Sequence, residues 1–140
     1  MDINIIDASS YFKGLLLLIR KDRQITEPEI DLMVKIGKSL GFAKNFCENA
    51  INEILENTFI EDIPPKFSTK EIAIRFLRDG LFIAFVDHDV IHPEEEHWLK
   101  AAAVANGLDL ETFSRELLDV RNRKGHPESL EVFRFTVVHG

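Results

Sequence analysis

Two stretches decide how this chain is read: Asp22-Arg23-Gln24-Ile25-Thr26-Glu27-Pro28-Glu29 and Asp87-His88-Asp89-Val90-Ile91-His92-Pro93-Glu94. They share the pattern Asp-x-x-aliphatic-x-x-Pro-Glu at a separation of 65 residues. Each follows a strongly apolar segment and opens an amphipathic one. Each amphipathic segment then stops at glycine plus an apolar residue, Gly41-Phe42 and Gly107-Leu108, now 66 residues apart. Self-similarity at a fixed spacing marks a duplicated structural unit. Four features in the same order predict a helix-loop-helix-helix unit used twice, with one extra residue in the second copy.

Outward from these stretches, six segments have helical period and punctuation. Residues 8–20 carry Tyr11, Phe12, Leu15, Leu16, Leu18 and Ile19 around most of a helix, which suits the centre of a bundle. Thr26 and Glu29 form a capping box with Pro28 early enough to cost no helical bond. Ile30, Met33, Ile36, Gly37 and Leu40 make the buried stripe of that second helix, and Gly41-Phe42 reads as its left-handed stop. A third helix over 44–57 places Phe46, Cys47, Ala50, Ile51, Ile54 and Leu55 on one face. Cys47, the only cysteine, lies inside that stripe as a small hydrophobe rather than a nucleophile.

A break at Glu61-Asp62-Ile63-Pro64-Pro65 halves the chain. Ser68-Thr69-Lys70-Glu71 reads as a second capping box, opening a helix over 68–86 in which Arg75 and Asp79, four apart, are expected to pair at the surface. Helix five starts at His92-Pro93, with Trp98 in the core by default. Asp109 caps helix six, which ends near Val120, and Arg121, Arg123 and Lys124 suit the negative end of its dipole. Residues 131–138 are β-branched and aromatic, and predict a short strand paired either with Ile3-Asn4-Ile5-Ile6 or with a second chain. The expected fold is an all-α helical bundle of two repeated units with internal pseudo-twofold symmetry, plus this short C-terminal strand. It forms one domain over 1–140, with a helical core at about 8–120 and an extension at about 125–140.

Seventeen Lys and Arg against twenty-four Asp and Glu leave a net charge of −7. That balance argues against nucleic-acid binding, which rewards clustered cations. The longest apolar run, Leu15 to Ile19, falls far short of the roughly twenty residues that span a bilayer, and Met1-Asp2 is no basic leader, so a cytoplasmic protein is expected. The charge is uneven: residues 87–96 hold five acids and no base, whereas residues 1–66 hold eleven acids and eight bases. His88, His92 and His97 lie in or beside the acidic decapeptide, so acidification would lower its negative charge.

These loops carry the candidate metal ligands: Asp22, Asp87, Asp89, Glu29 and Glu94, with His88 and His92 as weaker candidates. Asp22 and Asp87 follow helix C-termini, where cations are favoured, while Glu29 and Glu94 stand in first turns, where they are opposed. Calcium takes about six to eight oxygens, so one loop needs carbonyls, water or the other repeat to complete a site. Counting from Asp87, His92 stands where an EF-hand has glycine and Trp98 where it has glutamate, which excludes that motif. His92 and His97 are five apart, unlike the His-Glu-x-x-His of zinc peptidases. Phosphate loops, nucleophile elbows and paired cysteines are absent from the sequence, and no catalytic residue or organic cofactor is assigned.

The loop pattern, the apolar helix before it and the duplication resemble the TerB-like family, named for tellurite-resistance proteins and also found as a domain of DjlA-type membrane-anchored co-chaperones. The resemblance covers roughly residues 11–119. It keeps the Asp, the aliphatic residue and the Glu of the family's Ala-Asp-Gly-x-aliphatic loop, but Arg23 and His88 replace the glycine, and Lys21 and Val86 the small residue. It implies an all-helical bundle with an acidic, cation-binding surface and no established enzymatic activity. The expected function is a TerB-like binding or scaffold module that has a protein partner and takes a divalent cation, calcium or similar, in bacterial stress or metalloid resistance. The rivals are a metal-dependent hydrolase with Asp87, His88 and His92 as ligands, and a structural homo-oligomer joined through the C-terminal strand.

Overall fold

The amide side chain of Asn4 sets where the first helix begins. Its carbonyl oxygen accepts from the Asp7 backbone N–H at 2.8 Å, so α1 spans Ile5–Arg20 rather than starting at Ala8, and only Asp2–Asn4 remains as strand β1. The computed structural model describes residues 1–21, 25–85, 90–123 and 126–138. The helices that follow are α2 (Glu27–Ser39), α3 (Lys44–Glu56), α4 (Lys70–Phe85), α5 (Pro93–Ala105) and α6 (Leu110–Arg123). Two 3-10 turns, Pro127–Ser129 and Glu131–Arg134, lead into strand β2, Thr136–Val138. The described residues are therefore mostly helical, and no helix among them is long and apolar enough to cross a membrane.

α1 is the centre, as its all-round apolar sequence predicts. Leu15, Leu16, Leu17, Leu18 and Ile19 are all buried, and α1 contacts α2, α3, α4 and α5. α4 is the second pillar, packed on α1, α5 and α6. The capping box of α2 forms as expected, with Thr26 Oγ1 accepting from Glu29 N and Glu29 Oε1 accepting from Thr26 N at 3.2 Å. Both glycine stops have the same bonds. Gly41 (φ +89°) and Gly107 (φ +76°) occupy the left-handed region. Phe42 N donates to Gly37 O and Leu108 N to Ala103 O, which closes off each helix end.

Three expectations need correction. Thr69, not Ser68, caps α4, its hydroxyl accepting from Ile72 N; Ser68 gives its N–H and hydroxyl to Asp7 of α1 instead. The predicted C-terminal strand is mostly 3-10 turn, because the Glu131 and Val132 N–H groups turn inward to a side chain rather than along a ladder. That side chain is Asp79. It is buried and makes no surface pair with Arg75. The strand that remains pairs within the chain, parallel to β1, with Ile3 opposite Val137. Parallel neighbours need a crossover connection, and here the whole helical bundle supplies it.

Candidate functional site

Asp22, Asp87, His88 and Asp89 lie outside the described residues, as does Val86. The remaining candidates can be placed. Glu29 is buried, and its carboxylate belongs to the α2 capping box, taking the Thr26 hydroxyl at 3.0 Å as well as the backbone N–H. His92 is the N-cap of α5: its Nδ1 accepts from Glu94 N at 3.2 Å, which leaves Nε2 as its free ligand atom. Glu94 is exposed, whereas Glu95 is buried at the third position of α5, the place Glu29 holds in α2. By helix position Glu95, and not Glu94, matches Glu29, because Pro93 is the first residue of α5 whereas Pro28 is the second of α2. Among the described residues, no three His, Cys, Asp or Glu side chains stand close enough to hold a metal ion.

The flanks of the two loops meet at Asp62. Arg20 and Lys21, at the end of α1, both pair with its carboxylate, Lys21 at 2.5 Å. Arg20 also donates to Ile54 O and Asn57 O, at the carbonyl end of α3, and to Ile60 O. From α5, Trp98 Nε1 donates to Asp62 O at 2.9 Å. Partial burial works to raise the Asp62 carboxyl, and the Lys21 and Arg20 cations more than offset it, holding the group below the usual carboxylate range. Trp98 is buried in the core, as its place in helix five predicts.

The most unusual chemistry lies at Asp79, for which the sequence predicts only a surface pair with Arg75. Asp79 is 1% exposed and accepts from Tyr11 Oη at 2.6 Å, Glu131 N at 2.7 Å and Val132 N at 2.9 Å. Burial pushes its carboxyl up to about 7 against the pull of those three donors. Tyr11 is fully buried with its phenol pushed well above its ordinary range, by burial first and the neighbouring Asp79 second, so it stays a neutral donor. A signal was present: Asp79 falls three residues after Phe76 and seven after Ile72, on the apolar stripe of α4. What it would touch, 68 and 52 residues away in sequence, was not readable.

Two further features bear on function. An apolar groove of about 390 Å³ lies between α1 and α3, lined chiefly by Phe12, Leu16, Phe42, Phe46 and Ile54, with Lys13 and Glu53 at its polar margins. Cys47 is buried beside it, and burial pushes its thiol up, which removes nucleophilic character at neutral pH. Comparison of the chain with protein-family models, with curated proteins and with solved structures finds no match.

Proposed function

We propose that the chain is a TerB-like binding or scaffold module without catalytic activity, built from two repeated helical units, whose loops at 22–29 and 87–94 bind a divalent cation. One observation carries the reading. α4 starts 65 residues after α1, and its last described residue, Phe85, lies 65 after the last residue of α1. α2 and α5 are both 13 residues long and 66 apart at both ends, and α3 and α6 start 66 apart. The added residue therefore falls between the start of α4 and the start of α5, and the boundaries of α5 and the start of α6 keep the new register. Contacts follow the same rule, α1 resting on α2 and α3 as α4 rests on α5 and α6. Such agreement supports a duplicated unit with two matched loops, on which the resemblance rests.

The binding role draws support from the commitments of the polar groups. The buried carboxylates of Asp7, Glu29 and Asp79 each hold backbone or side-chain donors of the fold. Carboxylates engaged in this way position structure rather than transfer protons to a substrate. A cytoplasmic role in bacterial stress or metalloid resistance, with a protein partner, belongs to the same proposal.

The experiment is calorimetric titration with calcium, magnesium, manganese and zinc, on the wild type and on Asp22→Asn/Asp87→Asn. Heat with one of these cations that disappears in the double variant is the expected result. No heat with any of them, or equal heat in the variant, removes the cation from the reading.

A further inference from the structure

The last described segment, residues 126–138, has little regular structure of its own, yet it is pinned along its length. Leu130, Val132 and Phe135 are buried, and the Phe135 ring meets Tyr11 edge-on at 5.1 Å. Thr136 N donates to Met1 O at 2.8 Å. At the middle of the segment, the first N–H groups of the Glu131–Arg134 turn converge on Asp79, which caps that turn from another helix.

The electrostatics of this anchor are unbalanced. All three hydrogen bonds to Asp79 come from neutral groups. Among the described residues, the cations around it pair with other carboxylates: Arg75 with Glu71 and Glu131, although its Nε is buried without a partner, Arg78 with Glu116 and Glu131, and Arg123 of α6 with Asp119. Among the described residues these three cations meet four carboxylates before Asp79 is counted, and Glu131, on the segment itself, repels it. Tyr11, the titratable neighbour from α1, is neutral. An ionised Asp79 is therefore a surplus buried charge, hydrated only if the segment lifts.

We propose that residues 126–138 form a proton-controlled strap, held down by a neutral Asp79 and loosened from the bundle when Asp79 loses its proton. The closed strap binds the proton more tightly than the open one, since opening returns the carboxyl to water. By linkage, closure is then fully favoured at low pH and lost as pH rises. With the closed carboxyl at about 7 and the open one near the ordinary value of about 3.9, strap opening should grow roughly tenfold between pH 6 and pH 8.

Amide hydrogen exchange tests this on the full chain, with rates corrected for intrinsic base catalysis. Protection of Glu131, Val132 and Thr136 should fall about tenfold from pH 6 to pH 8, while amides in the middle of α1 and α4 keep theirs. Asp79→Asn should abolish the pH dependence. Should that variant fail to fold, Tyr11→Phe removes a donor to the anion and should move the loosening to higher pH. Strap protection that ignores pH in the wild type, an equal fall in α1 and α4, or an unmoved transition in Tyr11→Phe would each overturn the proposal.

Discussion

Replacing Tyr11 by phenylalanine removes one oxygen and little else. The ring contacts to Phe67, Phe76 and Phe135, at 5.8, 5.2 and 5.1 Å between centroids, remain available to phenylalanine, so no cavity of consequence opens. What is lost is the 2.6 Å hydrogen bond to Asp79. A neutral hydrogen bond contributes about 1 kcal/mol and one to a charged group about 1.5–3 kcal/mol. Which figure applies depends on the state of Asp79. Near pH 5 the buried carboxyl is protonated in both proteins, and the variant should lose about 1 kcal/mol. Near pH 8 the wild-type carboxyl is ionised and the phenol stabilises the anion; without it the carboxyl rises further. A rise of one pK unit corresponds to about 1.4 kcal/mol, of which about 1 kcal/mol is expressed by pH 8. The loss should therefore be about 2 kcal/mol at pH 8, twice that at pH 5. Urea unfolding followed through the single tryptophan, Trp98, with the slope checked for constancy, measures both. Equal losses at the two pH values, or a larger loss at pH 5, would refute the placement of the proton.

The same site makes wild-type stability fall as pH rises from about 4 to about 7, because a carboxyl raised by folding stabilises the native state below its unfolded value and loses that contribution as pH passes its folded value. Asp79→Asn should flatten this slope in urea titrations, and a slope equal to that of the wild type would count against the assignment. Gly37→Ala should cost about 1–3 kcal/mol by overpacking, since its new methyl would collide with Cys47 Sγ and press the Phe12 ring at 3.1 Å; adding Cys47→Ala should recover part of the loss in thermal melts. Gly41→Ala meets no atom within 4 Å, so its cost should be only the left-handed backbone, about 1–2 kcal/mol, and Gly41→Asn should cost less. Arg20→Lys should destabilise despite keeping the charge, because one ammonium cannot serve Asp62 and three carbonyls at once; thermal stability equal to wild type would show that the fork is dispensable.

Helix number, order and punctuation were legible because they rest on local physics. Thr26-Glu27-Pro28-Glu29 carries its own cap and Gly41-Phe42 its own stop, and both form from groups within a few residues of each other. The cap of α4 was misread for the opposite reason. Ser68-Thr69 offers two hydroxyls, and the choice was made by Asp7, 61 residues away, which takes the Ser68 hydroxyl and leaves Thr69 to the helix. The candidate metal ligands divide similarly. Glu29 was recognisable as a capping residue from its spacing to Thr26, whereas the correspondence of Glu29 with Glu95 rather than Glu94 emerged only once both helix starts were placed.

By itself, the sequence determined a mostly helical chain and the glycine stops of its second and fifth helices, since periodicity, caps and left-handed stops are settled within a turn or two of backbone. Only the tertiary structure decided where the C-terminal segment goes and what holds it. Arg75 and Asp79 at a spacing of four read as an ordinary surface pair, yet Asp79 turns inward to Tyr11 and to two backbone N–H groups of the strap, while Arg75 turns to Glu131. A side chain's charge and helical phase are local properties. Its dielectric surroundings and its partners belong to whichever distant segments the fold lays over it, and for Asp79 those surroundings set the proton equilibrium on which the strap depends.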